Sequence, residues 1–201
     1  MNPVLASLLL DLRGLSDEEA LELTYQEYVG LYMDRKTDKG MVGIRKTNDG
    51  QSVIFYQDRF EHAFFTSAHR TSRQYAKDKF QIDRAARVRW IGQVIEGNIP
   101  GTECWYISST QRYHSNSGTP ARLYVLWDEK YLVWLEPWRK DWWFSIAYVA
   151  TRGKAYIANI VARGTFFWRK KHPVISRLTG LEAKSQAIRL GSNCFIKKHR
   201  Q

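Results

Sequence analysis

The stretch from Arg122 to Val149 reads RLYVLWDEKYLVWLEPWRKDWWFSIAYV and decides the fold. It holds three runs rich in β-branched and aromatic residues, which are typical of strands. These runs are Arg122–Trp127, Tyr131–Glu136 and Trp142–Val149. Asp128 to Lys130 forms a three-residue hairpin turn after the first run, and Pro137 to Asp141 forms a turn after the second. Because short turns join antiparallel neighbours, the stretch predicts a β-meander.

The chain before the meander continues the pattern of strands and then changes to helix. Glu103–Ser108 predicts a fourth strand, and residues 109–121 form a polar loop that is long enough to be functional. Phe80–Ile95 places apolar residues on one broad helical face and predicts a helix. Ser52–Tyr56 predicts a short strand, and the ambiguous segment Phe60–Ala68 slightly favours helix.

The two ends of the chain are less strongly patterned. Ser16 and Glu19 form a capping box that predicts a helix over Asp17–Met33, followed by a linker or loose hairpin at 34–51. Tyr156–Val161 fits a strand or a helix. Pro173–Leu178 and Leu181–Leu190 predict helices.

Together these elements predict an α+β fold, with N-terminal helices followed by a roughly four-stranded antiparallel β-sheet and a basic, partly helical C-terminal extension. We divide the chain into a helical N-terminal extension at 1–51, an α+β domain at 52–150 and the basic extension at 151–201.

The positive charge is concentrated at the end of the chain. The protein has 31 Lys and Arg residues against 20 Asp and Glu, a formal net charge of +11. Residues 151–201 hold 12 basic residues and one acidic residue, whereas residues 1–50 hold 6 and 9. A basic block of this kind usually meets a polyanion, most often nucleic acid. The alternative is a solvated basic tail that aids solubility.

Several classes of protein are disfavoured by the same sequence. Two cysteines are too few for a disulfide scaffold or a thiolate zinc site. No apolar run approaches the roughly 20 residues of a membrane span, and no signal peptide is recognisable, so we expect a cytoplasmic protein without a membrane partner. Histidines and acidic residues show no metal-binding spacing, and glycine-rich phosphate loops are absent. We therefore expect no metal and no cofactor.

Two arginines lie where an amphipathic helix should be apolar. Arg84 and Arg87 fall within the apolar arc of Phe80–Ile95 and are neighbours at a spacing of three. An unpaired buried charge is costly, so each needs a partner. The partner is either a carboxylate, such as Glu103 or Glu136, or a phosphate, which the guanidinium fork matches.

These residue types suit metal-free chemistry on RNA. The 2′-hydroxyl is an internal nucleophile, so a protein needs a proton carrier, such as His62, and positive charge at the phosphorane. Aromatic side chains stack unpaired bases. The alternative for His62, in its apolar surroundings, is a buried histidine whose hydrogen bonds are satisfied.

Five ordered blocks carry a family resemblance: RFEHAFFTSAHR, FQIDRAARVRWIGQVIEG, GTECWYI, RLYVLWDEKYLVWLEP and WWFSIAYV. Over residues 52–150 they resemble the phage-type nuclease-like domains of the barnase–EndoU–colicin–RelE superfamily. The resemblance implies helices followed by a four-stranded antiparallel sheet. It also implies a metal-independent endoribonuclease that leaves 2′,3′-cyclic phosphates, in a phage, mobile-element, toxin or defence setting.

Carried over by position, the resemblance assigns His62 to proton transfer, Arg84 and Arg87 to the phosphate, and Ser145 or Tyr148 to a hydrogen bond at the reacting phosphate. Ser145 and Tyr148 are three apart and join one site only if a bulge or the strand end intervenes. We add six residues that we expect to bind nucleic acid. They are Trp105, Arg122, Lys154, Arg169, Lys170 and Lys171.

The expected partners are RNA, either transfer RNA or messenger RNA, and an inhibitor or antitoxin protein. Two other functions stay open on the sequence alone. One is a catalytically inert nucleic-acid-binding module on the same fold. The other is a regulatory protein that binds another protein through exposed aromatic residues.

Overall fold

The structure is a computed structural model, and it describes residues 2–38, 40–66, 79–108 and 120–171. This part of the chain contains six helices and ten strands. The helices are α1 (Pro3–Ser7), α2 (Asp17–Tyr32), α3 (Arg59–Phe64), α4 (Ile82–Ala85), α5 (Trp90–Ile95) and α6 (Gly153–Val161). The strands are β1 (Arg35–Thr37), β2 (Gly40–Lys46), β3 (Ser52–Tyr56), β4 (Phe65–Thr66), β5 (Lys79–Phe80), β6 (Glu103–Ile107), β7 (Ala121–Leu126), β8 (Tyr131–Trp138), β9 (Asp141–Val149) and β10 (Gly164–Arg169).

The central sheet is larger than the sequence predicted. The four predicted strands are confirmed as β6 to β9, and they are antiparallel neighbours. However, the sheet has eight strands in the order β1-β2-β3-β9-β8-β7-β6-β10, so the four-stranded prediction is wrong. It is also mixed, because β3 pairs with β9 in parallel. The α+β class is confirmed.

Of the four additional strands, β3 confirms the short strand predicted at Ser52–Tyr56, and the other three come from segments assigned to the two extensions. Strands β1 and β2 lie within 1–51, β10 lies within 151–201, and residues up to Lys171 form one compact unit. Strand β2 passes close to the end of α2. A Cβ atom at Gly43 would overlap the backbone carbonyl of Tyr32, so glycine permits this approach.

The predicted N-terminal helix is confirmed as α2, and its capping box is present. The backbone N–H of Ser16 donates to Glu19 at 2.8 Å, and that of Glu19 donates to Ser16 Oγ at 3.2 Å. The single helix predicted over Phe80–Ile95 is instead two short helices, α4 and α5. Between them the backbone forms the tighter hydrogen bonds from residue i to residue i−3. The carbonyl of Ala86 accepts a hydrogen bond from the backbone N–H of Leu10, rather than from a residue four positions later in the same helix.

The sheet has a core on each face. On one face α2, α3 and α5 cover a large cluster in which Trp90 is fully buried and donates its indole N–H to the carbonyl of Leu5 at 2.9 Å. On the other face Ile157 and Val161 of α6 pack on alternate residues of β7 and β8. Tyr156–Val161, which fitted a strand or a helix, is therefore helical, with one apolar stripe.

Some predicted elements fall outside the described residues. These are most of the polar loop, at 109–119, and the helices predicted at Pro173–Leu178 and Leu181–Leu190. Within the described ranges, no helix combines the length and the apolar character that crossing a membrane requires.

Candidate nucleic-acid interface

A cleft of about 410 Å³ opens where the end of β9 meets α4 and the start of α6. We call it the arginine cleft, because three of its lining residues are arginines. One aspartate, Asp83, also lines it. Its lining residues are Gln81, Asp83, Arg84, Arg87, Tyr148, Val149, Ala150, Thr151, Arg152 and Tyr156. Arg84, Arg87 and Tyr148, which the sequence predicted as site residues, are thus brought together.

Arg84 is half-buried between α3 and β9. Its Nη1 donates to the carbonyl oxygen of Ala63 at 3.3 Å, and its guanidinium carbon lies 5.5 Å from the centroid of the Tyr148 ring. Burial lowers the pKa of Arg84, while Tyr148 and Tyr131 act in the opposite direction. The guanidinium stays charged at neutral pH, since arginine is not deprotonated in proteins. It therefore presents a partly desolvated positive charge to the cleft.

Arg87 and Arg152 supply the other two positive charges. Arg87 Nη1 donates to the backbone carbonyl of Asp83, and its guanidinium carbon lies 5.1 Å from the Trp90 ring centroid. Its Nε is buried and has no hydrogen-bond partner among the described residues. Arg152 is exposed and lies 5.8 Å from the Tyr156 ring centroid. The exposed guanidinium of Arg152 can donate to an anion in the cleft, and half-buried Arg87 lines the same cleft although its Nε is shielded.

The carboxylates that the sequence offered as partners for the arginines are engaged elsewhere. Glu103 accepts the indole N–H of Trp105 at 3.0 Å and that of Trp127 at 2.7 Å, and it pairs with Arg169. Glu136 accepts from side chains on β9. Within the described part of the chain, neither Arg84 nor Arg87 forms an ion pair with a carboxylate. Instead, each arginine contacts a backbone carbonyl and an aromatic ring.

A bulge in β9 lies at Ser145, so the strand is irregular between Phe144 and Ile146. The pairing with β8 passes from Phe144 to Ile146 and leaves Ser145 as the extra residue. Ser145 nevertheless does not line the arginine cleft. It is buried, and its hydroxyl donates to Glu136 at 3.0 Å.

His62 lies on α3 and is half-buried. It is not among the residues that line the arginine cleft. Its helix is nevertheless tied to the cleft, because the next residue, Ala63, accepts the hydrogen bond from Arg84, and Phe64 accepts one from the backbone of Gln81 at 2.9 Å.

The six residues expected to bind nucleic acid do not form one site. Lys154 is on α6 and pairs with Asp128 at 2.8 Å. Arg122 is buried, and both of its Nη atoms donate to Asp49 at 2.8 Å. The others lie on or beside the neighbouring strands β6 and β10. They are half-buried Trp105 and exposed Arg169, Lys170 and Lys171.

Sequence reasoning missed two residues of the cleft, Arg152 and Tyr156. Tyr156 belongs to α6, whose helical nature the sequence left open, and Arg152 directly precedes this helix. The sequence did hold one signal for these residues. Directly after β9 the chain becomes basic, and Arg152 is the first basic residue of that stretch. Gly153, with a φ of 76°, marks the turn that starts the helix and brings Arg152 beside Tyr148 at the cleft.

Among the described residues, no group of three or more histidine, cysteine, aspartate and glutamate side chains is arranged to hold a metal ion. The chain matches no family model, no curated protein and no solved structure.

Proposed function

We propose that the protein binds single-stranded RNA and holds a backbone phosphate in the arginine cleft. The observation that carries this proposal is that Arg84 and Arg87 line one cleft and that neither forms an ion pair with a carboxylate among the described residues. Guanidinium groups match phosphate oxygens in a fork of two hydrogen bonds. A bound phosphate would neutralise the charge that burial leaves poorly hydrated.

The start of α6 supports the same ligand. The cleft residues Ala150, Thr151 and Arg152 directly precede this nine-residue helix. The positive end of a helix dipole favours an anion nearby. Its N-cap residue, Arg152, makes no capping hydrogen bond with its side chain. The dipole and the three arginines therefore favour an anion at the same place.

A polymeric anion fits this protein better than free phosphate. Tyr148 and Tyr156 border the cleft and offer rings on which bases can stack. The net charge of +11 attracts a polyanion from a distance. The choice of RNA over single-stranded DNA rests on the resemblance of residues 52–150 to nuclease-like domains.

The test is the affinity for a fluorescent single-stranded RNA, measured by anisotropy, in wild type and in the Arg84→Gln/Arg87→Gln variant. We expect the variant to bind at least about tenfold more weakly, because two charge-assisted hydrogen bonds to phosphate are lost. Arg35→Gln/Lys36→Gln removes the same two charges from exposed positions on β1 and is the matched control. Equal losses in both variants would mean that the cleft is not the binding site.

RNA cleavage is a second candidate function, and the stacking of Arg84 on Tyr148 favours it. In that reaction the 2′-oxygen attacks the adjacent phosphorus, loses its proton and displaces the 5′-oxygen, which gains a proton. The products are a 2′,3′-cyclic phosphate and a 5′-hydroxyl. In this candidate the Tyr148 hydroxyl would transfer the proton, and the arginines would neutralise the phosphorane. A toxin or defence role and an inhibitor partner belong to this candidate.

Cleavage is tested by incubating total RNA with the protein in excess EDTA and analysing the fragment ends. Cyclic-phosphate ends that disappear in Tyr148→Phe, whereas RNA binding persists, would support transesterification in the arginine cleft. His62→Ala tests the other candidate for proton transfer, the residue that the resemblance assigns. If this variant binds RNA fully but no longer cleaves it, His62 is the proton carrier. Intact RNA with tight binding would favour the inert module.

A further inference from the structure

A second cavity runs alongside α6 next to the arginine cleft. It has a volume of about 400 Å³, and we call it the α6 groove. Its lining residues are Ile107, Trp134, Ile146, Tyr148, Tyr156, Asn159, Ile160 and Arg163. Trp134 and Ile107 form a buried floor, with 6% and 1% of their surfaces exposed. The rim residues Asn159 and Arg163 are exposed.

The α6 groove and the arginine cleft are adjacent, because Tyr148 and Tyr156 line both. We infer that the α6 groove takes an unpaired nucleobase of the same strand whose phosphate lies in the arginine cleft. This inference rests on the proposed function and deepens it. It makes the ligand a base-bearing single strand, rather than any polyanion with the same charge.

The chemistry of the lining fits a base. Aromatic rings and aliphatic side chains on the sheet and on α6 form two apolar walls, between which a flat ring can be sandwiched. The Asn159 side chain offers both amide donors and a carbonyl acceptor at the rim, the groups that pair with the edge of a base. That side chain forms no hydrogen bond within the described ranges of the chain.

Charge continues along the same path. Arg152 precedes α6 and Arg163 follows it, so the two side chains flank opposite ends of the helix. At 1.5 Å per residue their Cα atoms are about 16 Å apart along the axis. A strand that lies along α6 therefore meets one guanidinium before the base in the groove and another after it.

The experiment compares two single strands of equal length and charge, one bearing bases and one fully abasic. Wild type is expected to bind the base-bearing strand roughly tenfold more tightly, since stacking in the groove adds to the phosphate contacts. Ile160→Ser opens one apolar wall and should reduce this ratio, with little effect on the abasic strand. Ile44→Ser, the same substitution at an exposed position on β2, should leave the ratio unchanged.

The two levels of the proposal fail in different ways. If Arg84→Gln/Arg87→Gln binds RNA as wild type does, the phosphate site itself is refuted. If that variant binds weakly but wild type does not distinguish the two strands, the phosphate site stands and the base site is overturned. The α6 groove would then serve another apolar ligand, such as a side chain of a partner protein. The wild-type comparison is decisive even if Ile160→Ser does not fold.

Discussion

The guanidinium carbon of Arg84 lies 5.5 Å from the ring centroid of Tyr148, so a residue of α4 is stacked on a residue near the end of β9. Such a contact is worth about 0.5–2 kcal/mol, more when it is shielded from water. It holds the Arg84 charge at the mouth of a cleft that Arg87 and Arg152 also line. The relationship therefore connects the packing of the fold with its candidate ligand site.

Substitutions of Tyr148 separate the role of its ring from that of its hydroxyl. Tyr148→Phe keeps the ring under Arg84, so we expect RNA affinity within about twofold of wild type. Tyr148→Ala removes the ring and should weaken binding roughly fivefold or more, because both base stacking and the support of Arg84 are lost. Anisotropy titrations measure both effects. Wild-type affinity in Tyr148→Ala would show that the ring takes no part in binding.

Removing one partner of the buried ion pair of Arg122 and Asp49 is expected to destabilise the fold. The Arg122 side chain is 4% exposed, and its guanidinium also lies 4.6 Å from the ring centroid of Trp142 and 5.0 Å from that of Phe167. Arg122→Met should lower the free energy of unfolding by about 3 kcal/mol, because Asp49 is left unpaired in partly buried surroundings. Urea denaturation measures this loss.

The matched control for that variant is Lys154→Met, which breaks the exposed pair with Asp128. We expect it to cost less than about 1 kcal/mol, as is usual for ion pairs on the surface. A loss in Arg122→Met no greater than in Lys154→Met would contradict a structural role for the buried pair.

Asp49 also predicts how stability changes in acid. Burial acts to raise the pKa of Asp49, but hydrogen bonds from Arg122 and Thr47 outweigh it and hold this pKa below 3.8. A carboxyl whose pKa is lower in the folded state stabilises the fold above its unfolded pKa and loses this contribution as the pH falls through the folded value. We therefore expect wild type to lose stability below about pH 3.8, and Asp49→Asn to lose less over that range. Parallel pH profiles would count against the assignment.

Cys104 is expected to be chemically inert in the folded protein. Burial raises the pKa of its thiol to about 12, so almost no reactive thiolate is present at neutral pH. The test uses the Cys194→Ser variant, in which Cys104 is the remaining cysteine. Alkylation should be slow in buffer and fast in denaturant. Rapid alkylation in buffer would mean that the β6 region opens readily.

The centre of the sheet could be predicted because its residues follow the two-residue period of a strand with one core on each face. In β7, for example, Leu123 and Val125 belong to one core and Tyr124 and Leu126 to the other. The edge strands β1 and β10, and β2 next to β1, carry no such signal. Phe166 and Phe167 of β10 are both exposed, so the apolar pattern there does not report burial.

Part of the candidate site could also be predicted, because charged residues are conspicuous within an apolar pattern. Arg84 and Arg87 stand out because they interrupt an apolar helical pattern, and the broken backbone between α4 and α5 explains how both line one cleft. Arg152 and Tyr156 join them only through the turn between β9 and α6. Sequence spacing does not reveal that juxtaposition, because it depends on the direction in which the chain leaves the sheet.

The most direct test of the phosphate site is the salt dependence of RNA affinity. Each phosphate contact that is lost should reduce the slope of log K against log salt by about 0.7 for a single strand. Because the two arginines hold one phosphate, we predict that Arg84→Gln/Arg87→Gln reduces the wild-type slope by about 0.7, whereas Arg35→Gln/Lys36→Gln leaves it unchanged. A slope in the cleft variant equal to that of wild type would contradict the claim that these two arginines hold the RNA backbone.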